Sequence, residues 1–76
     1  MKMRDKVIKI IADCTYKDIK EINEETSLIA DLGLDSLEMI ELKMAFEEEM
    51  HIEEIPSEDY FKIDTVGEII SYFEKR

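Results

Sequence analysis

Apolar residues recur at helical spacing in three separate windows of this chain, and two of those windows open on a matched pair of capping residues. Met3, Val7, Ile10, Ile11 and Cys14 stand four, three, one and three residues apart, the stripe of an amphipathic helix over about Lys2 to Cys14. On that stripe Cys14 is expected to be a packed core thiol. The second window starts where Asp35 can cap a helix and Glu38 can reach back to the cap, so a helix is expected from Ser36 to about Met50. Its core stripe is Met39, Leu42, Phe46 and Met50, while Leu37, Ile40 and Met44 fall on nearly the opposite side, bordered by Glu41, Glu47 and Glu48. This helix has two apolar faces where one would serve the core. The third window has a capping box in Thr65 and Glu68, a stripe of Val66, Ile69, Ile70 and Phe73, and a basic end in Lys75 and Arg76 that suits the helix dipole.

The segments between the windows are unequal. Thr15 to Leu34 places Tyr16, Ile19, Ile22, Leu28, Ile29 and Leu32 irregularly among polar residues, which reads as a long loop with a turn of helix, pinned to the core at several points. Gly33 is expected to supply a backbone conformation that other residues resist, just ahead of the second helix. Between the second and third windows, Pro56 suits the first position of a short helix through about Phe61. The expected fold is therefore all-α: a small four-helix bundle of three longer helices and one short one, with a long loop between the first two, forming one domain over residues 1–76.

Charge and cysteine usage narrow the function. Twenty acidic against ten basic residues give a net charge of −10, and the excess is concentrated between Glu21 and Phe61, with fourteen acidic residues and one basic. Such a field repels nucleic acid and anionic lipid and favours basic patches on other proteins, although solubility alone also accounts for it. A single cysteine excludes an internal disulfide framework, no apolar run is long enough to span a bilayer, and the start of the chain carries no signal peptide, so a cytoplasmic monomer without stable membrane association is expected. The run Glu47, Glu48 and Glu49 with Glu53 and Glu54 lacks the spacing and glycine of a calcium loop, and no metal site is expected. His51 reads as a helix-end residue some four turns from Ser36, too far to serve it as a base.

The stretch Asp31-Leu32-Gly33-Leu34-Asp35-Ser36-Leu37 closely resembles the modification site of acyl carrier proteins. Glu41-Leu42, Ala45-Phe46-Glu47-Glu48-Glu49, Ile55-Pro56 and Thr65-Val66 also fall where that family places similar residues, so the resemblance covers nearly the whole chain. It implies that a phosphopantetheinyl transferase moves phosphopantetheine from coenzyme A onto the hydroxyl of Ser36, flanked by Asp35 and Leu37, and that acyl groups are then carried as thioesters. The residues alone agree, because a serine at a helix start is exposed and a phosphodiester there meets unpaired amides and the positive end of the helix dipole.

The resemblance further implies that Leu37, Ile40, Glu41, Met44, Glu47 and Glu48 dock on acyl-transferring and chain-elongating enzymes with basic patches. Scattered surface hydrophobicity is the plainer account of the apolar members. Leu42, Phe46, Ile63, Ile69 and Ile70 would surround a sheltered acyl chain, and core packing explains all five without cargo. The expected function is carriage of acyl intermediates in type II fatty-acid biosynthesis, by a protein that is acted on and is not an enzyme. A specialised carrier for a polyketide, a modified lipid or an aminoacyl pathway, and an unmodified acidic helical adaptor, are the alternatives. The chain departs from the family between Asp13 and Ile22, where the familiar glycine after the first helix is missing.

Overall fold

The computed structural model describes residues 2–75. Four helices follow one another as α1 (Met3–Thr15), α2 (Ser36–Glu49), α3 (Ser57–Tyr60) and α4 (Val66–Glu74), with a 3-10 turn at Ile19–Glu21 in the long first connection. The expected bundle is present, with helix bounds within a residue or two of the sequence reading. Of the basic end expected after α4, Lys75 caps the helix and Arg76 lies outside the described residues.

One apolar core joins the elements. α1 contributes Val7, Ile8, Ile10, Ile11 and Ala12, α2 contributes Met39, Leu42 and Phe46, and α4 contributes Val66, Ile69, Ile70 and Phe73. The Phe46 and Phe73 rings meet at 5.3 Å between centroids, which locks α2 to α4. The connections add Ile22, Leu28, Leu34, Ile55 and Tyr60, so the long loop is pinned to the core as expected, although Tyr16, Ile19 and Ile29 of that loop are exposed.

One expectation about α1 needs correction, and one gap in the sequence reading is filled. Cys14 is exposed, not packed in the core. Its angular position on the wheel suits burial, but it lies in the last turn of α1 and opens onto surface grooves shared with Ala45 and Glu49 on one side and Leu34 and Leu42 on the other. Ile8 takes the burial instead, on the side of α1 that faces Ile22. The second point concerns the missing glycine. α1 still ends in a left-handed residue, and Tyr16 supplies it at φ 59°, with its own amide and that of Lys17 both donating to the Ala12 carbonyl. A tyrosine in that conformation bears a steric cost that glycine would avoid.

The connection before α2 is stitched to the start of α4. Leu28 N–H donates to the Asp64 carbonyl at 2.8 Å, Val66 N–H to Thr26 at 3.0 Å and Gly67 N–H to Glu24 at 2.9 Å. The Ser27 hydroxyl donates to the Asp64 carboxylate at 2.8 Å and accepts from Ala30 N–H at 3.0 Å, while Asp31 accepts from Ser27 N–H at 2.7 Å. A β-carbon at position 67 would stand 3.0 Å from the Glu24 carbonyl oxygen, so this close approach depends on glycine. The stitching holds the residues just ahead of α2 against a packed helix.

Candidate functional site

The approach to α2 is fixed residue by residue. Gly33 turns the chain at φ +67°, the left-handed region expected for it, and buried Leu34 anchors the next residue while its amide donates to the Leu28 carbonyl at 3.1 Å. Asp35 then adopts extended backbone and closes the expected capping box. Glu38 N–H donates to its side chain at 2.8 Å, and Asp35 N–H donates to the Glu38 carboxylate at 3.1 Å. Ser36 follows as the first helical residue, exposed. Among the described residues, none is hydrogen-bonded to its hydroxyl. The cap satisfies the amide of Glu38 and leaves those of Ser36 and Leu37 facing outward at the positive end of a 14-residue helix.

Along α2 the second apolar face is real surface. Leu37 is 65% exposed, Ile40 43% and Met44 59%, with exposed Glu41 and Glu48 beside them. These residues share a helix face with the position of Ser36. Glu47, grouped with them in the sequence, is placed differently. Its carboxylate accepts from Lys43 Nζ at 2.8 Å and from Ile55 N–H at 2.7 Å through the same oxygen, and its side chain is only 16% exposed. The bond from Lys43 and then that from Ile55 hold its carboxyl below the usual range. Glu47 clamps the chain ahead of α3 onto α2.

Of the residues expected around a cargo chain, Leu42, Phe46, Ile69 and Ile70 are buried together and Ile63 is half-buried at the edge. Sequence reasoning missed Tyr60, which is fully buried and donates its hydroxyl to the Met39 carbonyl of α2 at 2.8 Å. Burial pushes its phenol well above the ordinary value, so it stays a donor at any physiological pH. A four-residue helix has no periodicity from which this could be read. His51 stands in the left-handed region at φ 56° just past the end of α2, at the opposite end from Ser36. The Cys14 thiol is pushed up, first by partial burial and then by Asp13, Glu41 and Glu49, which favours its protonated form.

The phosphopantetheine attachment site family matches residues 5–73, which places the chain among domains that bear a covalent phosphopantetheine group. The acyl carrier protein of Clostridium acetobutylicum is 48% identical over 68 residues, covering 90% of this chain and 87% of the relative. That of Bdellovibrio bacteriovorus is 45% identical over 76 residues, covering 100% of this chain and 96% of the relative. The chain belongs to the acyl carrier protein family. Its prosthetic group is phosphopantetheine, and the open hydroxyl and free amides at the start of α2 suit the attachment of a phosphodiester. Among the described residues, no helix is long and apolar enough to cross a membrane.

Proposed function

We propose that Ser36 is the attachment residue and that the protein carries acyl intermediates for type II fatty-acid biosynthesis in the cytoplasm. The observation that carries this reading is the Ser36 hydroxyl itself, exposed and unengaged on a helix start that Asp35 and Glu38 hold rigid. The group, when attached, supplies a terminal thiol that holds the acyl chain as a thioester. The residues of this chain would hold the phosphate in place. The free amides of Ser36 and Leu37 would be available to it, the helix dipole would favour its charge, and the capping box would keep the helix start aligned. Among the described residues Ser36 has no base bonded to its hydroxyl, Asp35 and Glu38 being engaged in the capping box and His51 standing at the far end of α2, so the proton of the hydroxyl leaves to a phosphopantetheinyl transferase. The chain is therefore a substrate of that enzyme and not a catalyst.

Partner enzymes meet Leu37, Ile40 and Met44, while Glu41 and Glu48 face their lysines and arginines. Asp35 and Leu37 flank the reacting oxygen. Exposed ion pairs contribute little each and are screened by salt, so the complexes are short-lived, which suits a carrier that visits several enzymes. Glu47 adds charge to this face but is committed to Lys43 and Ile55.

The test is incubation with coenzyme A and a phosphopantetheinyl transferase, read by intact mass. One phosphopantetheine is expected on the wild type and none on Ser36→Ala. A mass gain that persists in Ser36→Ala would remove the assignment. Met44→Glu is expected to leave melting unchanged and to slow acyl transfer to partner enzymes, and unchanged kinetics would remove the docking face.

A further inference from the structure

We infer that Tyr60 plugs the seam between α2 and α3 and keeps cargo chains out of the core, so that this carrier presents its acyl groups outside the bundle. The inference rests on attachment at Ser36. A tethered hydrocarbon gains from leaving water in proportion to its length, and the interior of a small bundle is the nearest apolar volume. For a chain fixed at Ser36, entry beside α3 passes Met39, three residues or about 4.5 Å further along α2.

That point is occupied. Tyr60 is 1% exposed and among the largest fully buried side chains, and its hydroxyl donates to the Met39 carbonyl at 2.8 Å. The ring therefore spans from α3 to the first turns of α2, with Phe61 packed edge-on against it at 5.3 Å between centroids. Ile63 N–H donates to the Tyr60 carbonyl at 3.0 Å, and the Glu47 bond to Ile55 N–H at 2.7 Å ties down the chain entering α3. The plug is held from both sides. Met39, Phe46, Tyr60, Ile69 and Ile70 line none of five surface grooves, and the two that touch the expected cargo residues reach only Leu42 on the α1 side and Ile63 at the edge.

The experiment loads the wild type, Tyr60→Phe and Tyr60→Ala with butanoyl and dodecanoyl groups from the corresponding acyl-coenzyme A and a phosphopantetheinyl transferase. Intact mass confirms loading before melting is followed by circular dichroism. In the wild type and in Tyr60→Phe, which keeps the ring, the two cargoes are expected to give melting points within about 2 °C of each other. In Tyr60→Ala the vacated volume admits the longer chain, and its melting point is expected to exceed that of the butanoyl form by roughly 10 °C.

Release by hydroxylamine gives a second reading that needs only the wild type, whose dodecanoyl thioester is expected to be cleaved as fast as the butanoyl one. A melting point that climbs with chain length in the wild type, or a dodecanoyl thioester protected several-fold from hydroxylamine, overturns the inference while leaving Ser36 as the attachment residue. Absence of any group on Ser36 by mass overturns the attachment reading, and this inference falls with it.

Discussion

Replacement of Glu47 separates two roles open to one carboxylate on α2. If it is mainly a docking charge, its loss leaves stability untouched. If it is the clamp that the geometry shows, its loss is felt in folding. One Glu47 oxygen accepts from Lys43 Nζ at 2.8 Å and from Ile55 N–H at 2.7 Å. Lys43 is itself buried, its side chain 10% exposed. Truncation to alanine removes a hydrogen bond to a charged group, which contributes about 1.5 to 3 kcal/mol, and leaves the Ile55 amide without its acceptor at a cost of about 1 to 3 kcal/mol. Partial rescue by water lowers the sum, and about 3 kcal/mol is the expected loss for Glu47→Ala. For a domain of this size that lowers the melting temperature by roughly 15 °C.

Glu47→Gln keeps the shape and the acceptor but removes the charge, so about 1.5 kcal/mol is expected to be lost at neutral pH. The pH dependence follows from the lowered carboxyl. A group with a depressed folded value contributes stability that is fully present above its ordinary value of about 4.3 and is lost as pH falls through the lower folded value. The gap between the wild type and Glu47→Gln is therefore expected to be full at pH 7 and to close as acid protonates Glu47, because the protonated acid resembles the amide. The remaining carboxylates titrate alike in both proteins and cancel in the difference. Melting by circular dichroism at pH 7 and near pH 2.5 is the assay. A Glu47→Ala protein that melts within about 3 °C of the wild type at pH 7 would refute the clamp. So would a Glu47→Gln gap of the same size in acid.

Other substitutions probe single contacts. Tyr16→Gly removes a β-carbon from left-handed backbone on a side chain that is 95% exposed, and it is expected to stabilise the protein by about 0.5 to 1 kcal/mol, read by urea unfolding. Gly67→Ala should gain about 1 kcal/mol of helix propensity, yet the 3.0 Å approach to the Glu24 carbonyl turns this into a net loss of about 1 kcal/mol and faster hydrogen exchange at residue 67; a more stable protein would show that the approach is loose. Asp35→Ala removes the cap in front of Ser36 and is expected to cost about 1 kcal/mol while slowing modification of Ser36, and modification at the wild-type rate would show that the cap does not position the serine.

The parts of this protein that were legible in the sequence are those whose causes lie within four residues. Asp35 with Glu38 and Thr65 with Glu68 are pairs three apart, and both close as capping boxes in the structure. The exposed face of Leu37, Ile40 and Met44 follows from the helical period in the same way. Cys14 shows where that logic ends, because the period fixes an angle on the helix and says nothing of whether a neighbour covers the last turn. Lys43 and Glu47 mislead in the other direction. Charged residues on a wheel read as solvent, and only the return of Ile55 to Glu47 makes them an internal pair.

The support beneath Ser36 is likewise non-local. Ser27 reaches Asp64 across 37 positions, and Tyr60 reaches Met39 across 21. Each of those contacts runs between a segment with no periodicity and the end of a helix, which is why neither could be seen in advance. Both bear on the same few turns of α2. The first holds the chain that leads into Ser36, and the second fills the volume below it. The proposed attachment residue is thus exposed on a helix whose underside is occupied, and a serine so placed would present its cargo outward. What the sequence marks with seven residues around Ser36 is the proposed place of attachment. On the inference drawn above, how far that cargo folds back is set by a tyrosine twenty-four positions later, whose reach across the bundle no local pattern records.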